Sequence, residues 1–301
     1  MADGSMTDHS LIERSTINAM PAAPIRNAMT IDVEDYFQVS AFAASIKRED
    51  WPLMRCRVEH NVARILDLLD CAGIHATFFT LGWIARRYPT MVRQIVAGGH
   101  ELASHGDAHL RASDQTPAQF AHDVSTSKQV LEQISGQRVS GYRAPSFSIG
   151  AGNLWTLDAL LAAGYRYSSS IYPIRHDHYG MPDAPRFAFY PNGEQGLLEL
   201  PISTVRLLRR NLPAGGGGYF RLFPYALSRS LLRRINVHDG QAGIFYFHPW
   251  ELDPDQPRQT GLGLKTRFRH YVNLHRMETR ITALTRDFEW DRMDHIFLGQ
   301  S

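Results

Sequence analysis

The sequence has very little cysteine, with only Cys56 and Cys71 in 301 residues, which excludes a disulfide-stabilised scaffold. We expect both as reduced thiols, and Cys71 lies where a helical pattern closes, which is typical of a small buried side chain. The sequence also lacks long hydrophobic runs, since none approaches the ~18 residues of a membrane-spanning helix. These absences leave an ordinary globular protein as the expected class.

An excess of charge of one sign is missing as well. The formal net charge of +2 is too small to indicate a nucleic-acid partner. Residues 205–235 depart from this balance, because they contain no acid and seven arginines: Arg206, Arg209, Arg210, Arg221, Arg229, Arg233 and Arg234. Such a segment suits an anionic glycan, a lipid pyrophosphate carrier or peripheral contact with a membrane, and it equally suits a solvated helix face.

The N-terminal residues show neither a periodic pattern nor the pattern expected of a leader. Residues 1–27 mix small, polar and proline residues without a sustained period, which predicts a loose arm. Residues 1–28 lack the basic start and unbroken apolar core of a secretion signal. We therefore expect a cytoplasmic protein, or one located at the inner face of the membrane. We expect a barrel-sized domain over residues 28–255, and a helical extension over 256–301 that packs on it.

Strand and helix patterns alternate up to about residue 170. Strand patterns over residues 76–81, 100–104, 139–142 and 165–169 follow the first strand, with helical patterns between them, including one over 83–96. This alternation predicts an α/β fold with parallel strands, as an open sheet or a barrel.

The pattern becomes irregular near residues 175–240, where His176 and His178 are expected as solvated loop residues. The glycine run 215–218 favours a turn over a flexible lid. After it we expect a strand over 243–247 and one long helix over 264–287.

The first strand pattern ends in three carboxylates. Asp32 and Glu34 alternate with Val33 and Asp35, so Asp32 and Glu34 face the same side of the strand. Burial of such acids is costly unless a metal ion or a proton-transfer reaction uses them. The plain alternative is a strand that runs into an acidic surface turn.

Polar groups follow three more strand patterns. His105 and His109 are spaced so that a turn can bring both imidazoles to one ion, and Arg143 and His248 follow later strands. The carboxyl ends of parallel strands meet at one face, so we expect these groups in a single site. Two imidazoles and one carboxylate are the usual protein ligands of catalytic zinc, which leaves an acid and a histidine for proton transfer. The residues thus predict a metal-assisted hydrolase of an amide or ester.

These residues lie in phrases that resemble the motifs of the polysaccharide deacetylase family, the NodB-homology domain, in their usual order. The phrases are residues 30–35 (TIDVED), 104–109 (SHGDAH) and 143–147 (RAPSF). Residues 216–221 (GGGYFR) and 247–251 (FHPWE) resemble the branch encoded beside exosortase (PEP-CTERM) exopolysaccharide loci. The resemblance implies a distorted (β/α) barrel with fewer than eight strands and a C-terminal extension.

The resemblance also implies a role for each residue of the site. Asp32 is the implied general base, Arg143 the residue that orients it, and His248 the general acid. His105 and His109 are implied ligands of a divalent metal ion, for which zinc is expected.

The third metal ligand is open between two acids. The common family form has two adjacent aspartates, whereas Val33 follows Asp32 here. Strand alternation favours Glu34, and Asp35 remains an alternative if a β-bulge intervenes.

The implied reaction is attack of metal-activated water on an N-acetyl carbonyl, with release of acetate and an amino sugar. Phe147 and Trp250 are the candidate substrate-binding aromatics. An N-acetylated exopolysaccharide or its lipid-linked precursor is the expected substrate, although residues 167–172 lack the acid and tryptophan of the family's fourth motif. Two alternatives remain: a small cyclic imide or amide hydrolase of the same superfamily, and a glycan-binding protein without turnover.

Overall fold

The computed structural model describes residues 24–177 and 179–299. The predicted N-terminal arm therefore lies outside the described residues except for its last four positions. Two of these, Arg26 and Asn27, already belong to the first strand, so the folded part begins slightly earlier than the sequence indicates. His178 also lies outside the described residues.

Parallel strands dominate the described part of the chain. The strands are β1 (Arg26–Val33), β2 (Thr77–Thr80), β3 (Glu101–Ser104), β4 (Gly141–Tyr142), β5 (Tyr167–Ser168), β6 (Leu198–Glu199), β7 (Thr204–Leu207), β8 (Arg210–Pro213), β9 (Ile244–Phe247) and β10 (Glu289–Asp291). Seven of them form a curled half-barrel in the order β9-β1-β2-β3-β4-β5-β6, and every pair in it is parallel. This confirms the α/β class and the distorted barrel. Strands β7 and β8 form a separate antiparallel hairpin.

Helices cover the outside of the half-barrel. The α-helices are α1 (Val58–Ala72), α2 (Gly82–Arg87), α3 (Pro89–Ala97), α4 (Pro117–Ser135), α5 (Trp155–Ala162), α6 (Gly217–Leu222), α7 (Tyr225–Val237), α8 (Leu264–Tyr271), α9 (Met277–Asp287) and α10 (Met293–Leu298). Short 3-10 helices cover Ser40–Phe42, Arg48–Leu53, Ala112–Asp114, Pro145–Phe147, Pro249–Leu252 and Leu274–Arg276. None of the helices in the described ranges is long and apolar enough to cross a bilayer.

Helix α1 shows how the helices pack on the sheet. Its buried stripe, Val58, Val62, Ile65 and Leu69, has helical spacing and joins the main apolar core. Cys71 lies two residues past that stripe, nearly on the opposite face, and is exposed. The prediction of a buried Cys71 is therefore wrong, because the helical turn at the end of α1 carries it to the solvent side.

Two predicted helices are each divided. The pattern over 83–96 forms α2 and α3, because Pro89 cannot donate a backbone N–H and begins a new helix instead. The predicted long helix over 264–287 is α8 and α9, separated at Val272, which is extended, and Asn273, which is left-handed with a φ of 52°. Amphipathic patterns on both sides of the break concealed it in the sequence.

The C-terminal extension does more than pack helices on the barrel. Its strand β10 pairs in parallel with the start of β1, where Arg26 lies opposite Glu289 and Ala28 opposite Asp291. Helix α9 buries Met277, Ile281 and Leu284 in the main core. The predicted helical extension thus also lengthens the sheet.

The glycine run 215–218 makes close contacts with β9 and with a buried acid. Gly216 bridges to Tyr246, and a Cβ atom there would lie within 3 Å of the Tyr246 ring. A Cβ atom on Gly217 would collide with the carboxylate of Glu251. Gly215 to Gly217 therefore form a tight, buried connection into α6 that the close approach of the backbone requires, whereas Gly218 is exposed and has open space around it.

Asp35 holds the beginning of α1. Its Oδ2 accepts hydrogen bonds from the backbone N–H groups of Arg57 and Val58, at 2.6 Å and 3.0 Å, and its Oδ1 accepts one from Tyr36 at 2.8 Å. Burial raises the pKa of this carboxyl to about 6, although the backbone donors act in the opposite direction. Asp35 thus satisfies N–H groups that the helix itself cannot satisfy.

Replacing Asp35 by alanine should lower the free energy of unfolding by about 1–3 kcal/mol, because several buried N–H groups lose their acceptor. Urea denaturation measures the change. Asp50→Ala is the matched control, since Asp50 accepts an exposed N–H from Lys47 at the start of a 3-10 helix and its loss should cost less. Equal losses in both variants would contradict a structural role for Asp35.

Candidate active site

Four parallel strands deliver polar side chains to one edge of the half-barrel. Asp32 lies near the end of β1, His105 follows β3, Arg143 follows β4 and His248 follows β9. The strands that precede them are buried, so each polar group lies where a buried strand reaches the rim. The structure brings all four together: Asp32, His105 and His248 line one cavity of about 320 Å³, and Arg143 contacts Asp32 without lining the cavity itself.

Arg143 and Asp32 form a buried ion pair. Arg143 Nη1 donates to Asp32 Oδ1 at 2.6 Å, and the two side chains are 0% and 3% exposed. Nη1 also donates to Thr30 Oγ1 at 2.8 Å, while Nε and Nη2 donate to the carbonyl and hydroxyl oxygens of Ser169. The guanidinium carbon lies 4.0 Å from the ring centre of Phe79. Arg143 is thereby fixed on all sides and holds Asp32 by a charge-assisted hydrogen bond.

Glu34, His105 and His109 form a compact buried cluster. Each offers a ligand atom, and these atoms lie within 4.8 Å of one another. Glu34 Oε2 lies 2.8 Å from His109 Nε2, yet no hydrogen bond of acceptable geometry reaches this buried oxygen in the described residues. The Nδ1 atom of His105 is 2.9 Å from the carbonyl oxygen of Arg143, which orients its other nitrogen for coordination.

This cluster fits a divalent metal ion. It combines one carboxylate with two imidazoles, and it contains a buried oxygen without a donor. Burial is the main cause that lowers the pKa of His105, to about 4, so its ring is neutral and can offer a lone pair. Asp35 is not part of the cluster, because its carboxylate caps α1.

Glu34 stays ionised in spite of its burial. Burial by itself raises the pKa of a carboxyl, but the nearby rings of His109 and His248 outweigh it and lower the pKa of Glu34 to about 2. The Nε1 atom of Trp250 donates a long hydrogen bond of 3.4 Å to Glu34 Oε1. A persistent negative charge is thus held in the cluster.

His248 is held by a carboxylate and, through it, by a second arginine. Glu251 Oε1 lies 2.8 Å from His248 Nδ1 and also accepts the His248 backbone N–H. Glu251 Oε2 accepts from Arg221 Nε at 2.6 Å. Arg221 further donates to the carbonyl oxygens at the end of α8, so this chain of contacts joins the acid to the C-terminal extension.

These contacts leave His248 protonated at neutral pH. Burial acts to lower the pKa of its imidazole, but Glu34 and Glu251 outweigh this and raise the pKa to about 9. Because Glu251 faces Nδ1, the other nitrogen, Nε2, faces the cluster and lies 3.3 Å from Glu34 Oε1. A proton on Nε2 is therefore directed toward the site.

Phe147 and Trp250 both line the cavity, although each is almost fully buried. Trp250 stacks between His248 and His270, with ring centres 5.1 Å and 4.2 Å away. Phe147 adopts a left-handed backbone with a φ of 49° and contacts Tyr246 edge to face. Both rings therefore shape the walls of the cavity and support the polar residues.

Sequence reasoning missed part of the cavity wall. His176, Tyr179, Tyr246, Arg269 and His270 line it. Tyr246 precedes His248 by two residues on one strand face, a signal that was available in the sequence. The other four come from an irregular segment and from α8, where no local pattern points to the site. His176 stacks on Tyr179 at 4.0 Å, so it is not a solvated loop residue.

Two family models match this chain in adjacent regions. Residues 49–168 match "Polysaccharide deacetylase", and residues 169–298 match "Domain of unknown function (DUF3473)". The chain contains a polysaccharide deacetylase domain. The residues of the candidate site come from both matches and from β1 before them, since Asp32 and Glu34 precede the first match and His248 lies in the second.

Curated relatives resemble short stretches of this chain. The chitooligosaccharide deacetylase of Bradyrhizobium sp. is 30% identical over 96 residues, which are 32% of this chain and 42% of that protein. The peptidoglycan-N-acetylglucosamine deacetylase of Bacillus cereus is 34% identical over 70 residues, or 23% and 33% of the two chains. The matched stretches thus span less than half of either relative.

A solved structure resembles nearly the whole chain. It is the crystal structure of a proposed polysaccharide deacetylase from Mycobacterium smegmatis, with a TM-score of 0.57 and 19% identity. The likeness covers 92% of this chain and 93% of that one. It shows that the two share the deacetylase fold. The exosortase-locus branch stays a prediction.

Replacing Glu251 by glutamine should lower the pKa of His248 in metal-free protein by at least about one pH unit, because the imidazolium loses its adjacent negative charge. NMR titration of the imidazole signals measures it, with assignment from His248→Gln. Glu278→Gln, on an exposed acid of α9, is the matched control and should leave the value unchanged. An unaltered His248 in Glu251→Gln would contradict this account of its charge.

The same contacts predict a pH dependence of stability. The pKa of folded His248, about 9, lies above its ordinary value of 6.5, so its contribution to stability is complete below pH 6.5 and is lost as pH rises through 9. The free energy of unfolding of metal-free protein should fall over this window, and less steeply in His248→Gln. Parallel curves for the two proteins would exclude His248 as the source.

Proposed function

We propose that this protein is a metal-dependent hydrolase that removes N-acetyl groups from a polysaccharide. The observation that carries the proposal is the joint placement of three units around one cavity: the Glu34–His105–His109 cluster, the Asp32–Arg143 pair and the His248–Glu251 pair. The names of the curated relatives, which refer to chitooligosaccharide and peptidoglycan N-acetylglucosamine, support an N-acetylated glycan as the substrate class.

Glu34, His105 and His109 are the proposed metal ligands, with zinc as the expected ion because of the nitrogen and oxygen donors. Glu34 is preferred over Asp35, whose carboxylate is occupied by backbone N–H groups. When bound, the ion polarises the acetyl carbonyl and lowers the pKa of a water molecule.

Asp32 is the proposed general base. It lines the cavity, and Arg143 engages only its Oδ1, so in the described residues Oδ2 has no donor and can receive a proton from the attacking water. Arg143 does not line the cavity and acts through Asp32, which it orients by their ion pair at 2.6 Å.

His248 is the proposed general acid. It is protonated at neutral pH, and its Nε2 faces the cluster while Glu251 holds Nδ1. In this position it can give a proton to the departing amine nitrogen as the carbon–nitrogen bond breaks. Phe147 and Trp250 are the proposed apolar walls around the acetyl group or sugar.

The natural substrate that we propose is an exopolysaccharide or its lipid-linked precursor. Residues 216–221 and 247–251 support this substrate, because they resemble the branch encoded beside exopolysaccharide loci. The same two segments form the Arg221–Glu251–His248 contacts of the site. The cavity of about 320 Å³ is at the small end of ligand pockets, which suits one acetylated sugar and also a small cyclic imide. The imide hydrolase is therefore the second candidate function.

Zinc-reloaded protein should release acetate from N-acetylglucosamine oligomers. Asp32→Asn should lower kcat by at least about 100-fold, because the base is lost, while zinc binding is retained. Enzymatic determination of acetate measures turnover, and dialysis with metal analysis measures zinc. Opening of a cyclic imide without acetate release would favour the second candidate, and oligomer binding with no turnover of either substrate would favour a glycan-binding protein.

The ligand assignment has its own test. Glu34→Gln should weaken zinc binding by about 100-fold or more, since a ligand contributes at least as much as the groups that orient it. Asp35→Asn, one residue away, is the matched control and should bind zinc almost as wild type does. Zinc affinity that depends on Asp35 and not on Glu34 would overturn the assignment.

A further inference from the structure

The β7–β8 hairpin ends in an unusual turn. Leu207 and Arg210 face each other, so the loop between them has two residues. Both of these, Leu208 and Arg209, have positive φ values, of 46° and 63°. Two-residue turns of this kind are normally made by Asn-Gly, because most other residues are strained in a backbone conformation with positive φ. Leucine is therefore a poor choice for forming this turn.

Packing does not explain the leucine either. Leu208 is 90% exposed and Leu207 is 50% exposed. The left-handed backbone at Leu208 is strained, and the exposed side chain gains no burial that would offset this strain. Since neither turn formation nor packing explains Leu208, we attribute this residue to a function at the apex of the hairpin.

Arginines surround the two leucines. Arg206 precedes them, and Arg209 and Arg210 follow, all of them exposed. Together with Arg175 they line a groove of about 1010 Å³, in which Asp183 is the one acidic side chain among the lining residues. In the described residues, no carboxylate lies within ion-pair distance of these four arginines, whereas Arg186 in the same groove is paired with Asp239.

We propose that this hairpin docks the protein on an anionic phospholipid surface. Leu207 and Leu208 enter the interfacial region of the bilayer, and the unpaired arginines bind lipid phosphate groups. An apolar apex with a basic collar matches the chemistry of such a surface, where burial of leucine and attraction of cations act together.

Fewer arginines are available for membrane contact than the arginine-rich segment 205–235 suggested. Arg221 is buried against Glu251, and Arg229 is paired with Asp287, so neither is free to bind lipid. The hairpin and its groove place four unpaired arginines next to the exposed leucines, whereas Arg233 and Arg234, which are also exposed and without an ion pair in the described residues, lie on α7.

Docking at the hairpin also concerns the active site. Arg175 lines the groove, and the next residue, His176, lines the cavity of the proposed deacetylase site. A bilayer at the groove would therefore lie near the mouth of that cavity, as a lipid-linked glycan requires. This consequence rests on the proposed function, whereas the membrane contact is tested without any measurement of activity.

Co-sedimentation of the full chain with vesicles tests the proposal. Wild type should bind vesicles of phosphatidylcholine with phosphatidylglycerol, more weakly as salt increases, and should not bind pure phosphatidylcholine. Leu208→Asn should weaken binding about tenfold or more, because the inserted side chain is lost. Its thermal midpoint should stay equal or rise, since asparagine tolerates the left-handed turn. Leu208→Phe should retain binding.

A matched control is available at another exposed leucine. Leu53 is 87% exposed in a 3-10 helix, and Leu53→Asn should bind as wild type does. Arg206→Gln combined with Arg210→Gln should remove most of the salt-sensitive binding. Vesicle binding that is unchanged in Leu208→Asn, or a wild type that binds a soluble anionic polysaccharide but no vesicles, would overturn the proposal.

Discussion

The buried ion pair of Arg143 and Asp32 is the interaction on which the rest of the site depends. A guanidinium group inside a protein is costly unless all its N–H groups and its charge are satisfied. Here its donors reach β1 through Asp32 and Thr30, and the segment after β5 through Ser169. One side chain thus fixes the relative positions of three strand ends. Lysine lacks the planar fork that makes these contacts simultaneously.

Arg221 repeats this solution in the C-terminal half of the chain. Arg221 is buried and neutralises Glu251. Its remaining N–H groups donate to the carbonyl oxygens at the end of α8. Glu251 in turn holds His248. The two regions that match different families therefore complete a single site, since the first contributes both imidazoles of the cluster and the second contributes His248 with its support. Neither region contains the whole constellation.

The sequence was informative where local rules decide the outcome. Strand alternation placed Asp32 and Glu34 on one face, and the common edge of parallel strands predicted that Asp32, Arg143 and His248 meet. It failed where distant contacts decide. The break at Asn273 is fixed by a hydrogen bond from its side chain to the carbonyl of Arg221, 52 residues away, which no helical pattern reveals. The pairing of β10 with β1, across most of the chain, is concealed for the same reason.

The balance of buried charge explains why Glu34 is the natural position for a cation. Arg143 compensates Asp32, and Arg221 compensates Glu251, each at 2.6 Å. Glu34 has no guanidinium partner among the described residues, and only imidazoles and the weak donor Trp250 approach it. An imidazole is charged only when protonated, so its compensation depends on pH, whereas a metal ion compensates at any pH that leaves the ligands deprotonated. The arrangement of arginines therefore leaves Glu34, beside His105 and His109, as the carboxylate of the site that no guanidinium group compensates in the described residues.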